Sequence, residues 1–410
     1  MMITDYDPTA ISVETALQRI EQQIQPVENH EQVSLHEALN RVLAQNVYSP
    51  INVPPHANSA MDGYAVRSAD LISQTETCLI VVDTSLAGKP YTQSVPTGHC
   101  VRIFTGAFLP PDTDTVVMQE HVTVQNDTIV FKSDQKTGQH VRTVGEDVKI
   151  GQQVLSVGKQ LRPADLGLLA SLGVAKVAVT RLLQVAILST GDELCTLEKT
   201  PQFGQIYDSN RYTLHGMLTR LGIEVIDMGI IPDHPQMIEN AFLAATQYDA
   251  IITSGGVSVG EADYVTDVLR KIGRINFWKI AMKPGRPLTF GKIQAVPFFG
   301  LPGNPVSVMA TFYQFVQPAL QRLMGKNKTP PLRLKVRCIS PLKKSPGRLE
   351  FQRGILETDE QGQLVVSSTG QQGSGILSSM SRANCFIVLP VACGNVPAGS
   401  EVIVEPLTCL

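Results

Sequence analysis

The chain reads as an α/β multidomain protein whose centre is a doubly wound, mostly parallel sheet, with β-rich regions on either side in sequence. Three observations carry this reading. Between residues 184 and 324 short apolar strands alternate with helical stretches, the pattern of a parallel sheet covered by helices on both faces. The segments 50–147 and 331–410 carry short β-rich runs broken by Gly, Pro and Asp instead. At 410 residues the chain is also too long for one ordinary core, so two to four domains are expected.

Taken in order, residues 11–25 place Val13, Ala16, Leu17, Ile20 and Ile24 at helical spacing, which predicts an amphipathic first helix. Ser34-Leu-His-Glu37 has the form of a capping box, and Leu35, Ala38, Leu39, Val42 and Leu43 continue one apolar stripe, predicting a second helix. Pro50, Pro54 and Pro55 end that region. Strands are predicted at 79–82, 101–104, 115–119 and 128–131. The stretch 148–177, with Gly151, Gly158 and Gly173 and a short helix around 163–172, reads as a connecting piece. Then follow strand 184–189, helix 211–221, strand 224–231, helix 235–245, strand 250–253, helix 262–272 and, beyond two further strand ends, helix 306–324. After the linker-like Lys326-Asn-Lys-Thr-Pro-Pro331, Leu334, Val336 and Cys338 alternate with charged residues, so 331–410 reads as a small barrel or sandwich.

Composition narrows the function classes. A content of 43% hydrophobic and 17% charged residues fits a soluble globular protein, and a net charge of −3 argues against non-specific nucleic-acid binding. No run approaches the roughly 18 apolar residues of a membrane span, so no membrane partner is expected. The polar, acidic start Met-Met-Ile-Thr-Asp-Tyr-Asp does not read as a signal peptide, and the expected compartment is the cytoplasm. Seven scattered cysteines include no Cys-x-x-Cys pair, which excludes a zinc ribbon or thioredoxin-type motif and fits reduced thiols. Cys195 reads as packing, and His56, His121, His140, His215 and His234 show no metal-ligand spacing.

In open parallel sheets ligands gather beyond the carboxyl ends of the strands. Here those ends carry Ser189-Thr-Gly-Asp-Glu193, Asp208-Ser-Asn210, Pro232-Asp233 and Ser254-Gly-Gly-Val-Ser-Val-Gly-Glu-Ala-Asp263. Lys279, Lys283 and Arg286 come next, followed by Pro302-Gly-Asn-Pro305 and Ser307. Glycine at a strand end lets backbone N–H groups approach an anion, and a helix N-terminus adds partial positive charge. Lys and Arg beside such loops neutralise phosphate or another oxyanion, whereas clustered carboxylates serve it by holding Mg²⁺. Each turn alone is a common helix entry; their joint, ordered placement is the specific signal. Small-residue turns with carboxylates recur at Asn58–Arg67, Arg102–Ala107 and Gly145–Asp147, where Asp62-Gly63 also reads as a plain tight turn.

With those motifs in place the chain resembles, over nearly its whole length, the MoeA family of molybdopterin molybdenumtransferases, to which the gephyrin E domain is related. The likeness rests on Ser59-Ala-Met-Asp-Gly-Tyr-Ala, Phe104-Thr-Gly, Gly145-Glu-Asp, Ser189-Thr-Gly-Asp-Glu-Leu and Ile206-Tyr-Asp-Ser-Asn. It continues in the Ser254–Asp263 loop, Met282-Lys-Pro-Gly, Gly300-Leu-Pro-Gly-Asn-Pro-Val-Ser, Gly347-Arg-Leu-Glu-Phe-Gln-Arg and Gln372-Gly-Ser. The resemblance implies four parts: 1–49 with 148–177 as an elongated connecting domain, 50–147 as a β-rich insert, 178–330 as a molybdopterin-binding domain, and 331–410 as a β-barrel.

It further implies a homodimer that inserts molybdate into adenylylated molybdopterin, with Mg²⁺-dependent release of AMP. Transient contact with the molybdopterin adenylyltransferase and with acceptor molybdoenzymes is implied too. Carried over by motif, Asp62, Asp147, Glu193, Asp263, Lys279 and Lys283 are the implied catalytic residues, and Glu193, Asp233 and Asp263 the implied metal ligands. The implied substrate-binding residues are Thr105, Asp233, Gly255, Gly256, Ser258, Arg286, Pro302, Pro305, Ser307, Arg353 and Ser374. Arg286 stands where many relatives carry lysine, which keeps the charge and changes the donor geometry. Two alternatives use the same fold: a molybdopterin adenylyltransferase, and a non-catalytic scaffold.

Overall fold

A computed structural model describes residues 7–71, 76–132, 134–255 and 264–407. The chain forms two compact units, one of residues 1–31, 40–42 and 179–410, the other of residues 32–39 and 43–178. No helix among the described residues is long and apolar enough to cross a membrane.

The first unit is built on a six-stranded sheet. Its strands are β1 (Gln184–Thr190), β2 (Glu224–Ile231), β3 (Ala250–Ser254), β4 (Gly273–Lys279), β5 (Pro287–Ile293) and β6 (Val296–Leu301), in the order β2-β1-β3-β6-β5-β4. The pairs β1–β2, β1–β3 and β3–β6 are parallel, while β5 runs against both β6 and β4. Alternate residues of a strand point to opposite faces, and the core divides accordingly. Val185, Ile187, Ile252, Phe299 and Leu301 face one cluster; Ala186, Leu188, Ile251 and Phe298 face the other.

Helices cover both clusters. On the first face lie α1 (Val13–Gln23) through Val13, Ala16 and Ile20, and α2 (Ser209–Arg220) through Leu214, Met217 and Leu218. On the second lie α3 (Pro235–Ala245) and α4 (Tyr264–Ile272). The sequence-based partition put α1 with the connecting piece; its buried stripe packs with the central domain instead. The last helix of this domain opens at α5 (Pro305–Thr311), widens to a π turn over Phe312–Val316 and resumes over Gln317–Leu323. Pro318 has no N–H for the Gln314 carbonyl, and a wider turn just before a proline accommodates that loss.

The C-terminal strands are β7 (Leu334–Cys338), β8 (Leu349–Thr358), β9 (Leu364–Ser368), β10 (Cys385–Leu389) and β11 (Glu401–Pro406). They pair in the ring β8-β9-β7-β11-β10-β8, a closed five-stranded barrel, which decides between the two readings of the sequence. Closure leaves the ring without a free edge.

The second unit holds a six-stranded sheet ordered Thr115–Met118, Gly63–Val66, His99–Ile103, Glu76–Ser85, Thr128–Lys132 and Thr123–Gln125. It contains all four strands predicted there. Gly63 is required by a close approach and not by a turn: a Cβ would fall 2.0 Å from the Val117 carbonyl oxygen. The predicted second helix is not formed. Strand His30–Ser34 leads into a single 3₁₀ turn, Leu35–Glu37, with the capping box in place, and Asn40 at φ 63° then turns the chain away. The cap signal was local and correct; the apolar stripe beyond it packs from an irregular segment, with Leu39 left 44% exposed.

Candidate functional site at the strand ends

Three parallel strands, β1, β3 and β6, end side by side, and backbone approach at that point is close. Gly255 takes φ 86°, donates its N–H to the Leu301 carbonyl at 3.2 Å, and leaves only 2.9 Å between an added Cβ and the Thr190 carbonyl oxygen. Gly303 lies against Gly255, 4.0 Å separating its Cβ position from the Gly255 Cα. Asn210, in the first turn of α2, donates Nδ2 to the Gly303 carbonyl at 2.7 Å. The start of α2 is itself rigid. Asp208 caps it through Arg211 N–H at 3.2 Å and takes Arg211 Nε at 3.0 Å, while the same guanidinium reaches Asp227 at 2.6 Å. Burial opposes the charge on Arg211, but the two carboxylates outweigh it and raise its pKa.

This corner keeps unmet hydrogen-bonding capacity. Thr190 Oγ1, Thr253 Oγ1 and Asn210 Oδ1 are buried without a hydrogen-bond partner among the described residues. Buried polar groups are almost always paired, so these atoms are hydrogen-bonding capacity that the described residues leave unused. Of the residues named from sequence, Gly255, Pro302, Pro305 and Ser307 gather here. Pro305 opens α5, Ser307 is 4% exposed, and the Val306 N–H donates to the Ser374 carbonyl at 3.1 Å, which brings Ser374 to the same helix N-terminus. Gly256, Ser258 and Asp263 lie outside the described residues.

Carboxylates cluster at the ends of β1 and β2. Glu193 folds back over Gly191, where an added Cβ would lie 2.5 Å from its carboxylate. The Asp233 N–H donates to Asp192 Oδ1 at 3.3 Å. Burial, and then the charges of Asp192 and Glu193, push the Asp233 pKa up. Asp192 stands among the strand-end residues of the sequence but drew no role there; the tandem Asp192-Glu193 was the available signal. Among the described residues no three His, Cys, Asp or Glu side chains form a metal site by themselves.

The cations sit on one excursion between β4 and β5. Lys279 is opposite Pro287 in the ladder, and the Ile280 N–H donates to the Arg286 carbonyl at 2.7 Å, closing the turn that carries Lys283. Lys279 is exposed. Lys283 Nζ lies 3.4 Å from Glu350 of β8. Arg286 pairs with Asp7, whose carboxyl is held down at about 2 by the Thr9 hydroxyl and N–H and then by that guanidinium. Arg353 departs from its expected role as a direct anion ligand. It is 1% exposed and donates to Ser379 Oγ at 2.9 Å and to the carbonyls of Gln371, Gln372 and Gly373 at 3.3, 3.1 and 2.9 Å. Its fork is used to shape the loop before Ser374.

In the second unit Asp62 and Thr105 meet. Asp62 Oδ1 accepts from the Thr105 N–H and hydroxyl, both at 2.7 Å, and these two bonds lower its pKa, the backbone one most. Asp147 stays outside this contact, its N–H donating to the Val53 carbonyl at 3.0 Å and its side chain exposed.

Three family models match successive segments of the chain. Residues 11–173 match the MoeA N-terminal region (domain I and II), 186–322 a probable molybdopterin binding domain, and 335–407 the MoeA C-terminal region (domain IV). The chain belongs to the MoeA family. A molybdopterin molybdenumtransferase of Haemophilus influenzae is 50% identical over 384 residues, covering 93% of this chain and 94% of that one. Gephyrin of Dictyostelium discoideum is 35% identical, covering 95% of this chain and 61% of its own length. The crystal structure of a molybdopterin biosynthesis MoeA protein from Pyrococcus horikoshii superimposes with a TM-score of 0.85 at 30% identity, covering 97% of this chain and 100% of that one. This MoeA chain is therefore a transferase enzyme of molybdenum cofactor biosynthesis, and the names of its MoeA relatives do not favour the adenylyltransferase alternative.

Proposed function

We propose that this MoeA protein inserts molybdate into the dithiolene of adenylylated molybdopterin and releases AMP in a Mg²⁺-dependent step, with the ends of β1, β3 and β6 as its site. The observation that carries the proposal is the joint placement, at one sheet end, of the close-approach Gly255, one buried amide oxygen and two buried hydroxyls without partners among the described residues, and a partly buried carboxylate, Asp233, beside Asp192 and Glu193. Gly255 lets the ligand approach the backbone, and the α5 N-terminus favours its anionic end. Lys283 keeps ammonium donors for an oxyanion, and Asn210 Oδ1 and the threonine hydroxyls orient the organic part.

The donor set suits Mg²⁺, because carboxylates are hard oxygen ligands, and burial together with the charges of Asp192 and Glu193 pushes the Asp233 pKa up. Asp233, with Glu193 or Asp192 beside it, would hold the ion together with substrate oxygens, and the ion when bound would polarise the phosphoanhydride and offset its charge. Mg²⁺ is commonly held by one or two carboxylates together with substrate phosphates, so a complete protein cage is not needed. The same reading takes the enzyme as a cytoplasmic homodimer supplied by the adenylyltransferase.

The test is AMP release from adenylylated molybdopterin and Mg²⁺, with and without molybdate. We expect release that depends on molybdate and falls about 100-fold in Lys283→Ala, the scale on which one preorganised electrostatic group acts. Folded protein that releases no AMP, or releases it equally without molybdate, ends this assignment.

A further inference from the structure

The two-residue strand Met282–Lys283 runs parallel to the start of β8, Met282 opposite Leu349 and Lys283 opposite Glu350. The Leu349 N–H also donates to the Ala281 carbonyl at 2.9 Å, so backbone bonds fasten the lysine turn to the barrel. Across this seam the two charges differ in burial: the Glu350 side chain is 6% exposed and that of Lys283 43%. Beside that ion pair, Glu350 Oε1 accepts a hydrogen bond from Gln352 Nε2 at 3.0 Å, and that Nε2 also donates to the Lys343 carbonyl at 2.8 Å.

A buried carboxylate beside a turn that receives an oxyanion is costly twice over. Its own desolvation is unfavourable, and it repels the incoming anion. A hydrophobic residue in that strand position would fold at least as well. What the carboxylate supplies is direction. The lysine stem is long and free to sample many rotamers, and a fixed negative partner at its tip selects among them. An ammonium has three donors; one contact with Glu350 leaves others for a ligand.

We propose that Glu350 is a positioning residue, holding the Lys283 ammonium by charge at the place where it meets the molybdate oxyanion. The inference rests on the molybdate-insertion reading of the site. Glu350 acts through Lys283 and touches no reacting atom.

Charge and shape are separable by two substitutions. Glu350→Gln keeps the volume and the Gln352 hydrogen bond but removes the charge; Glu350→Asp keeps the charge and leaves a small void. We expect Glu350→Gln to lower kcat for molybdate-dependent AMP release roughly 10-fold, a modest part of what misplacing a catalytic group costs, and Glu350→Asp to recover most of it. A merely structural role predicts the reverse order. Glu350→Gln with unchanged kcat, or Glu350→Asp no better than Glu350→Gln, overturns the proposal. Melting temperatures provide a second readout that needs no activity. Lys283→Ala leaves Glu350 without its cation and should melt lower, and the double variant Lys283→Ala/Glu350→Gln should regain the loss. If the double variant melts as low as Lys283→Ala, the charge pair does not exist. Should wild-type protein release no molybdate-dependent AMP, the function assignment fails separately, and the melting series still judges the pair.

Discussion

The barrel and the strand ends of the central sheet handle buried polar groups in opposite ways. In the barrel, Arg353 is 1% exposed and its guanidinium reaches three carbonyls and one hydroxyl. Glu405, 6% exposed, is met by both Arg333 and Gln314. At the strand ends Thr190 Oγ1, Thr253 Oγ1 and Asn210 Oδ1 are buried and have no partner among the described residues, and Asp233 is crowded by like charges. Folding requires the first arrangement, since an unmet buried group costs free energy. The second leaves hydrogen-bonding capacity that the described residues do not use. The two cations differ in the same way: Arg353 and Lys283 both lie in motifs of the family, yet Arg353 is buried with its donors directed at the protein, while the Lys283 side chain is 43% exposed beside Glu350.

The largest effect should come from breaking the satisfied region. Arg353→Ala strands three loop carbonyls and opens a cavity in the barrel, and we expect a loss of about 3–5 kcal/mol in denaturant unfolding followed by a barrel probe. Arg353→Lys should restore only part of it, because an ammonium cannot reproduce the planar fork. An Arg353→Ala protein of wild-type stability that has lost molybdate binding would place Arg353 with Lys283 and erase the distinction.

Much of the framework was readable from apolar runs and periodicity in the central domain, most clearly in its buried strands and in α1. Residues 184–189 read as one apolar strand in the sequence, and the fold buries both its faces, Val185 and Ile187 on one and Ala186 and Leu188 on the other. Strand-end glycines and acids were readable for the same reason, since parallel topology brings one end of every strand together. Partners far apart in the chain were not. That Asp7 would take Arg286, or Glu350 would face Lys283, depends on the packing of the chain's start and on the register of a two-residue bridge to β8. No local pattern encodes either. The capping box at Ser34 shows the converse error, where a sound local signal was extended into a helix that tertiary packing does not allow.

A middle-sized effect belongs to the unsatisfied region itself. Gly255 is at φ 86°, where a side chain is strained, and its added Cβ would meet the Thr190 carbonyl oxygen, a backbone atom that cannot swing aside. Gly255→Ala should therefore cost about 1–3 kcal/mol and, by pushing β1 and β3 apart at their ends, lower AMP release further than the stability loss explains. Gly88 is also at positive φ, 78°, but open space surrounds its Cβ position. Gly88→Ala should show the backbone cost alone and leave AMP release unchanged.

The smallest effect has the most informative sign. Asp233 has its pKa raised above 3.8 by burial and by the charges of Asp192 and Glu193. Between 3.8 and the raised value the folded state holds more proton than the unfolded chain, so stability falls as pH rises through that window and the deficit persists above it. In chelator-containing buffer Asp233→Asn should thus be slightly more stable than wild type at neutral pH, with the difference vanishing below pH 3.8. Asp192→Asn should produce the same trend by removing the repelling charge. Adding Mg²⁺ should then raise the melting temperature of wild type and do so less for Asp233→Asn, since the cation relieves a repulsion that the variant no longer has. An Asp233→Asn protein less stable than wild type in chelator would mean that this carboxylate, like the Arg353 guanidinium, is already satisfied by the fold, and the strand ends would lose their claim to be the unfinished part of the molecule.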